Sequence, residues 1–177
     1  GVEEVAPLRF GTVLIRADGF DEPVGWLASA IDRQFVDGGA PTLEDKLEGL
    51  SEDEVWDELL SNPDTIVVPS FFLQTGGGPP ASVVEMGETI GVIDPTTGAE
   101  VERRIIGEFG NDYAFSGSYM SYASIDEVLG ERATPARFYI EVDDSADADQ
   151  VARRLQGELV ANERGDLARQ VREQVSE

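Results

Sequence analysis

The sequence predicts an α+β protein with mixed sheets, and three observations support this class. Short apolar runs alternate with polar residues as strands do, most clearly in "ARFYIEV" at 136–142. Capping signals precede apolar residues at helical spacing, as in "SEDEVWDELL" at 51–60. A turn signal between two apolar runs predicts a hairpin at 89–109. Arranged along the chain, strands, hairpin and helices are typical of α+β folds.

The first predicted strand is Leu8–Arg16, a central strand because both of its faces are largely apolar. The next stretch, Ala17–Ala40, mixes Gly, Pro and Asp with apolar residues and predicts a loop. One short helix is expected in it near Trp26–Phe35. A short amphipathic turn follows, with three leucines on one side: Leu43, Leu47 and Leu50.

The strongest helix signal begins at Ser51, which forms a capping box with Glu54 three residues later. Acidic residues in the first turn suit the helix dipole. The apolar residues that share one face are Val55, Trp56, Leu59 and Leu60. The helix is predicted to stop at Asn62-Pro63-Asp64, and "TIVVPSFF" then predicts a short buried strand broken by Pro69.

The predicted hairpin has its first strand at Thr89–Asp94 and its second at about Glu100–Phe109. The sequence Asp94-Pro95 starts the turn, and Gly98 closes it with a positive φ angle. The loop "QTGGGPP" before the hairpin lacks the lysine and the spacing of a nucleotide-binding loop. This loop therefore gives no indication of a phosphate site.

The C-terminal third predicts two strands and two helices. "SGSYMSYAS" predicts a strand, and Ser124 with Glu127 predicts a capping box on a short helix that ends at Gly130. The strand at 136–142 is followed by an amphipathic helix from Asp147 to Leu159, with Val151 and Leu155 also on its core face. The stretch 166–177 is predicted to be a charged helix without a stop signal.

The composition limits the classes of function. The chain has 177 residues, 41% of them apolar, which is enough for a core, and it contains no histidine and no cysteine. The usual general base and the usual zinc ligands are therefore absent. Catalysis would have to use carboxylates, Tyr, Ser or Lys46, the only lysine. We predict that the chain is not an enzyme and has no catalytic residue, no metal site and no cofactor.

The net charge is −23, from 36 acidic and 13 basic residues. Repulsion from phosphates excludes nucleic acid as a partner. Two interpretations of the acidity stay open: a salt-rich environment, in which dispersed carboxylates keep the surface solvated, or an ordinary acidic surface from a GC-rich genome. Melting curves in NaCl discriminate between them, because a halophilic protein continues to gain stability above roughly 1 M, where screening saturates.

Two local clusters are candidate sites. "DDSADAD" at 143–149 lacks the glycine and the glutamate of an EF-hand loop, so helix capping and solvated acid explain it better than calcium. The second cluster is an aromatic run: Phe109, Tyr113, Phe115, Tyr119 and Tyr122. It predicts either a surface for a partner or ligand, or an ordinary half-buried strand, which aromatic residues favour.

The order and spacing of several segments resemble a known family. "VVEMGETIGVIDPTTGAEVERRIIGEF" at 83–109 is similar to a segment of the large extracytoplasmic domain of MacB/FtsX-like ABC transporter permeases. "NPDTIVVPS" precedes it, and "GSYMSYASIDEVLG" and "ARFYIEVDDSADADQVARRLQGEL" follow it, as the corresponding segments do in that family. The resemblance covers most of the chain, loosely at 17–49, and the acidic region around 37–57 departs from it.

This resemblance implies a function outside the membrane. It implies a single extracytoplasmic domain, residues 1–177, between two membrane helices of a permease subunit. It also implies a second permease subunit as dimer partner, a cytoplasmic ATPase, and a substrate or partner outside the membrane. A start at Gly1-Val2-Glu3 without Met is consistent with an excised fragment. The alternatives are a free-standing secreted ligand-binding protein and, less favoured, a carboxylate-based hydrolase.

The resemblance further implies a two-lobed domain like the periplasmic core of MacB. One lobe is expected from about residues 1–20 plus 132–177, built on Leu8–Arg16, Ala136–Val142 and the helix at 147–159. The second lobe is expected from about residues 40–131, including the hairpin. A hairpin paired directly with Leu8–Arg16 would contradict this arrangement.

Overall fold

The computed structural model describes residues 2–72, 84–110, 117–142, 147 and 149–157. Its strands are β1 (Val2–Arg16), β2 (Val24–Ile31), β3 (Leu43–Lys46), β4 (Thr65–Pro69), β5 (Thr89–Ile93), β6 (Glu100–Phe109), β7 (Ser118–Ser121) and β8 (Thr134–Val142). Its helices are α1 (Arg33–Asp37), α2 (Glu52–Ser61) and α3 (Tyr122–Leu129), followed by a short 3₁₀ helix (Gly130–Arg132).

Six strands form a closed ring. The order of hydrogen-bonded neighbours is β2-β7-β4-β6-β5-β1, and β1 also pairs with β2. Closure leaves these six strands without a long free edge, which protects them from pairing with another chain. Strand β8 is a further neighbour of β1, and β3 pairs with β6. The β2–β7 and β4–β6 pairs are parallel and the others with a described register are antiparallel, so the predicted mixed sheet is confirmed.

The ring has apolar residues on both faces, and each face carries its own cluster. Along β4, Ile66 and Val68 belong to one cluster and Val67 belongs to the other, because successive side chains of a strand point to opposite faces. The first cluster takes residues from all six strands and α3. The second is formed around α1 and α2 with Ile31, Ile106, Phe109 and Tyr119.

Helix α2 confirms the strongest local prediction. Ser51 caps it, the Glu54 carboxylate accepts from the Ser51 amide at 2.8 Å, and the helix ends at Asn62. Val55, Trp56 and Leu59 are buried in the second cluster. Gly107 of β6 lies under this helix, where a Cβ would meet Val55 Cγ1 at 3.0 Å. The glycine therefore permits the close approach of helix and sheet.

The hairpin is also confirmed. Strands β5 and β6 pair from Thr89 opposite Arg104 to Ile93 opposite Glu100. Gly98 has φ 74° and donates its amide to the Asp94 carbonyl at 2.9 Å, which closes the turn.

Two elements differ from the sequence-based expectation. The predicted loop with a helix near Trp26–Phe35 contains strand β2 and only a five-residue helix at Arg33–Asp37. Residues of β2 pair one by one with β1, from Ala30 opposite Arg9 to Val24 opposite Ile15, and this tertiary pairing overrides weak local propensity. The predicted leucine turn contains strand β3, which pairs with β6.

The cap of α3 lies three residues earlier than predicted. The N-cap is Ser121 and not Ser124: the Ser121 hydroxyl accepts a hydrogen bond from the Ser124 amide at 3.2 Å. The predicted strand at 116–124 is therefore shorter, and its described part ends at Ser121. Gly130 ends the helix with φ 54°, as predicted.

The chain divides into two compact units, Ala6–Tyr139 and the two chain ends Gly1–Val5 with Ile140–Glu177. The predicted separation of the hairpin from Leu8–Arg16 is wrong, because Leu14 of β1 pairs directly with Ile93 of β5. Two apolar faces indicate that both faces of β1 are covered but do not specify which strands pair with its edges, and closure of the ring places β1 between β2 and β5.

In the unit formed by the chain ends, residues 149–157 are helical. The Asp147 carboxylate accepts from the Gln150 amide at 3.1 Å and so caps this helix. Val151 and Leu155 are half-buried while their described neighbours are exposed, which confirms the predicted amphipathic pattern for this part. The predicted end of the helix at Leu159, the predicted helix at 166–177 and most of "DDSADAD" lie outside the described residues.

Candidate functional site

Helix α3 and the 3₁₀ helix are attached to the ring by a set of ionic contacts, which we call the α3 clamp. Its members are Arg9 of β1, Arg103 of β6, and the pair of Arg132 with Asp94. The chain has 13 basic residues, and three of them, Arg9, Arg103 and Arg132, belong to this clamp. The apolar residues Ile125, Val128 and Leu129 on the other side of α3 pack into the first cluster.

Arg103 is the most buried cation of the clamp, with 1% of its surface exposed. Its Nε donates to the Ser124 hydroxyl at 2.7 Å, and its terminal nitrogens donate to the Glu102 carbonyl at 2.8 Å and the Glu127 carboxylate at 2.7 Å. Asp64 adds a carboxylate at 3.5 Å. Burial of a guanidinium is tolerated because its donors are satisfied in this way.

Arg103 lines a polar groove of about 380 Å³. Asp64, Glu102, Glu127 and Arg104 are the other charged residues that line it. Because the Arg103 donors already have protein acceptors, the groove offers few free donors for an anionic ligand. Its arrangement suits attachment of α3 better than binding of a substrate.

Arg9 holds the other end of α3. Its Nε donates to the Ala133 carbonyl and its Nη2 to the Gly130 carbonyl, both at 3.1 Å. Its Nη1 lies 2.7 Å from the Asp126 carboxylate, and the guanidinium lies over the Tyr122 ring at 5.8 Å. A cation at the C-terminal end of a helix satisfies carbonyl groups that have no partner within the helix.

The third contact joins the hairpin turn to the 3₁₀ helix. The Asp94 side chain is 1% exposed and accepts from the Thr97 hydroxyl, from Arg132 and, at 2.9 Å, from the Thr96 amide. The Thr97 hydroxyl is the main cause of a lowered pKa of Asp94; burial opposes it, and the Thr96 amide and Arg132 reinforce it. The carboxylate therefore stays ionised at neutral pH and fixes the turn on this element.

A second feature is a small apolar surface on β1 and β2. Thr12, Gly25, Trp26, Leu27 and Gly117 line a shallow depression of about 410 Å³. Leu27 is the one large apolar side chain counted as exposed among the described residues, at 37%. The Trp26 indole donates to the Ser118 hydroxyl at 2.9 Å and packs edge-on against Phe72, with ring centroids 4.9 Å apart. Nothing in the sequence pattern identified this surface, because it combines two strands and a glycine distant along the chain.

The structure separates the five predicted aromatic residues. Phe109 and Tyr119 are 0% and 1% exposed and pack against each other at 5.3 Å between ring centroids. The prediction of a partner surface is wrong for these two, because both rings fill the second cluster. Tyr122 is half-buried, and its role at a partner surface stays a prediction. Tyr113 and Phe115 lie outside the described residues.

No group of three or more potential metal-binding side chains is found in the described part of the chain. The pKa of Tyr122 is raised, first by burial and then by nearby Asp32, so its hydroxyl stays protonated at neutral pH and is not a ready base. The clamp and the apolar surface thus supply attachment and contact area, and neither presents an activated nucleophile with a base beside it.

No protein-family model and no curated protein matches the chain. Solved structures do match its fold. The extracellular domain of the noncanonic ABC-type transporter YknZ from Gram-positive bacteria matches with a TM-score of 0.51 at 13% identity, over 86% of this chain and 70% of that one. A domain of a putative permease from Porphyromonas gingivalis matches with a TM-score of 0.50 at 14% identity, over 89% of this chain and 63% of that one.

The chain has the fold of ABC-transporter extracellular domains. The periplasmic region of MacB from Actinobacillus actinomycetemcomitans is a further match, with a TM-score of 0.48 at 17% identity, over 93% of this chain and 68% of that one. The matches to the YknZ domain and the Porphyromonas gingivalis permease domain confirm, at the level of the fold, the predicted resemblance to extracytoplasmic domains of ABC-transporter permeases. Among the described helices, none is both long enough and apolar enough to cross a membrane.

Proposed function

We propose that this chain is the extracytoplasmic domain of an ABC transporter permease subunit. In this proposal it couples a cytoplasmic ATPase, through the membrane part of the permease, to export or mechanical signalling by contacts outside the membrane. The observation that carries the proposal is the fold match to the YknZ extracellular domain, which extends over 86% of the chain. A fold can host several functions, so the site must agree with it.

The clamp agrees with a role in transmitting movement. A domain that passes on a displacement must move as a rigid body, because flexible joints absorb the displacement. The closed ring ties β1, the hairpin and β2 together, and the α3 clamp fastens α3 to β1, β6 and the hairpin turn. We expect the unit Ala6–Tyr139 to move as one body when the membrane part moves.

We also propose that the domain is non-catalytic. The chain has no histidine or cysteine, and the buried ionic groups of the clamp, Arg103 and Asp94, are engaged in structural contacts. A screen with glycoside, ester and peptide substrates tests this. Reproducible turnover that one Asp or Glu substitution abolishes would favour a carboxylate-based hydrolase instead.

The coding sequence on both sides of the chain tests the permease proposal. We expect apolar spans of about 20 residues immediately before Gly1 and immediately after Glu177, the length that crosses a bilayer as a helix. We further expect a second permease copy and an ATPase to copurify with the full-length protein from detergent-solubilised membranes. A reading frame with a secretion signal and no such spans would contradict the proposal and favour a free-standing ligand-binding protein.

A further inference from the structure

Three carboxylates meet where β3 pairs with β6. Asp45 of β3 lies directly opposite Glu108 of β6, at a bulge in the register between Leu43 and Asp45. The neighbouring Glu44 side chain lies against Gly110, so closely that a Cβ at Gly110 would overlap its carboxylate. Like charges directly opposite each other on two strands destabilise the pair.

The surroundings of Glu108 increase this repulsion. Glu108 is half-buried and, with Asp45 and Glu85, lines a cavity of about 360 Å³. The other lining residues are apolar: Val68, Phe72, Val84, Met86 and Ile105. Burial weakens the screening of charges by water, so the repulsion is larger than at an exposed site. Burial first, and then the charges of Asp45 and Glu44, raise the pKa of Glu108 above 4.5.

No cation compensates these charges in the described part of the chain. Strand β3 contributes Glu44, Asp45 and Lys46, and no described ion pair joins Lys46 to any of the carboxylates. Strand β4 contributes the uncharged Val68, and the segment before β5 contributes Glu85. All charged groups that line the cavity are therefore acidic.

We propose that the β3–β6 pairing is a pH-sensitive contact, which tightens when Glu108 is protonated and loosens when Glu108 is ionised. Protonation removes one of two opposed charges and leaves the backbone pairing intact. A carboxyl group whose pKa is higher in the folded state stabilises the fold fully when the pH is below its pKa in the unfolded chain. This stabilisation is lost as the pH rises through its pKa in the folded chain. The pH-sensitive window thus begins near pH 4.5 and extends to higher pH.

The consequence reaches helix α2. The Leu43 amide donates to the Glu52 carboxylate at the start of α2, at 3.0 Å, and the Leu47 amide donates to the Ile106 carbonyl of β6, also at 3.0 Å. Strand β3 therefore attaches the segment that leads into α2 to the ring. When the pairing of β3 with β6 loosens, the segment before α2 loses its attachment to the ring, while α2 itself keeps its apolar contacts.

Hydrogen exchange on the intact chain from pH 4 to pH 7, corrected for intrinsic rates, tests the proposal. The amides of residues 43–47 should exchange through an opening whose equilibrium constant rises with pH, by up to about tenfold per pH unit within the window. Amides of β5 serve as the internal reference. In Glu108→Gln the pH dependence should disappear and the protection at pH 7 should increase.

Glu102→Gln is the matched control, because Glu102 lies on the same strand but is exposed; it should leave the pH dependence of β3 unchanged. If Glu108→Gln alters the fold, as judged by circular dichroism, Asp45→Asn removes the opposing charge; it should make the pH dependence shallower without abolishing it, because the burial of Glu108 remains. A wild-type profile without pH dependence at residues 43–47 would overturn the proposal. The proposal would equally be overturned if Glu108→Gln retained the wild-type slope.

Discussion

The two longer helices of the ring unit are attached in different ways. Helix α2 buries Val55, Trp56 and Leu59 against one face of the ring, and most of its outward face is acidic. Its one described ionic contact to another element is the exposed pair of Asp57 with Arg33. Helix α3 also buries apolar residues, but it is held in addition by Arg9, Arg103 and the Asp94–Arg132 pair.

This difference shows where a strongly acidic chain uses its few cations. Apolar burial supplies attachment at about 25 cal/mol per Å² but permits some sliding between packed surfaces. Hydrogen-bonded guanidinium groups fix direction and register, because each donor must meet its acceptor. We infer that α2 is attached mainly by burial, and that α3 is held in addition by ionic contacts that fix its register on the ring.

The largest expected effect is on the α2 side. Trp56→Ala should lower the free energy of unfolding by about 4 kcal/mol, because it removes a large buried side chain and leaves a cavity under the helix. Urea denaturation followed by fluorescence of the remaining Trp26 measures this. Asp57→Ala on the exposed face of the same helix should cost less than about 1 kcal/mol. Equal losses for the two variants would mean that burial does not hold α2.

The next effect is on the α3 side. Arg103→Ala should lower the free energy of unfolding by about 3 kcal/mol, because the Ser124 hydroxyl and carbonyl lose their donor and a buried volume is emptied. Arg104→Ala is the matched control on the adjacent, exposed position, and should cost less than about 1 kcal/mol. Hydrogen exchange should show that Arg103→Ala deprotects α3 more than α2. Uniform deprotection of both helices would contradict a local clamp.

Substitution of two glycines, one under α2 and one under α3, allows the two helix–sheet contacts to be compared directly. A Cβ at Gly107 would meet Val55, Leu43 and Val67 at 3.0 to 3.3 Å, so Gly107→Ala under α2 should cost about 1–2 kcal/mol. A Cβ at Gly11 would lie 2.5 Å from Leu129 Cδ1, the end of one flexible side chain, so only that side chain would have to shift. Gly11→Ala under α3 should therefore cost less than Gly107→Ala. Thermal melting of both variants measures which one loses more stability, and a larger loss for Gly11→Ala would contradict this part of the comparison.

The smallest effect concerns the acid side of the stability curve. A carboxyl group with a lowered pKa in the folded state stabilises the fold when the pH is above its pKa in the unfolded chain. This stabilisation is lost as the pH falls through its pKa in the folded chain. Asp94 is such a group, with an ordinary value of 3.8. Asp94→Asn should reduce stability at pH 7 and flatten the pH dependence below about 4. An unchanged acid limb in melting curves from pH 2 to pH 7 would show that the turn does not depend on this charge.

The sequence predicts those elements whose signals are local. Ser51 with Glu54 identifies α2, and Asp94-Pro95 with Gly98 identifies the hairpin, because capping and turn chemistry act within a few residues. Strand β2 was missed because Gly25 and its small residues have weak strand propensity, and only pairing with β1 and β7 defines it. Ring closure is likewise not readable from one segment.

The α3 clamp was missed for a related reason. In "EVERRIIGEF" the two arginines look alike, yet Arg103 is buried and Arg104 is exposed. Strand alternation does put them on opposite faces, but it does not tell which face meets α3. The three-residue error at the cap of α3 hid the role of Ser124, whose hydroxyl accepts from Arg103.

The location of the domain is the central claim, and labelling in intact cells tests it most directly. The chain has no cysteine, so a single one can be introduced at exposed Asp53 of α2, with buried Val55→Cys as the matched control; in the full-length protein any cysteine outside this chain is first replaced by serine. A maleimide that cannot cross membranes should label Asp53→Cys in intact cells from which any outer membrane or wall barrier has been removed. Val55→Cys should react only after denaturation. Labelling of Asp53→Cys only after the cytoplasmic membrane is lysed would contradict an extracytoplasmic domain.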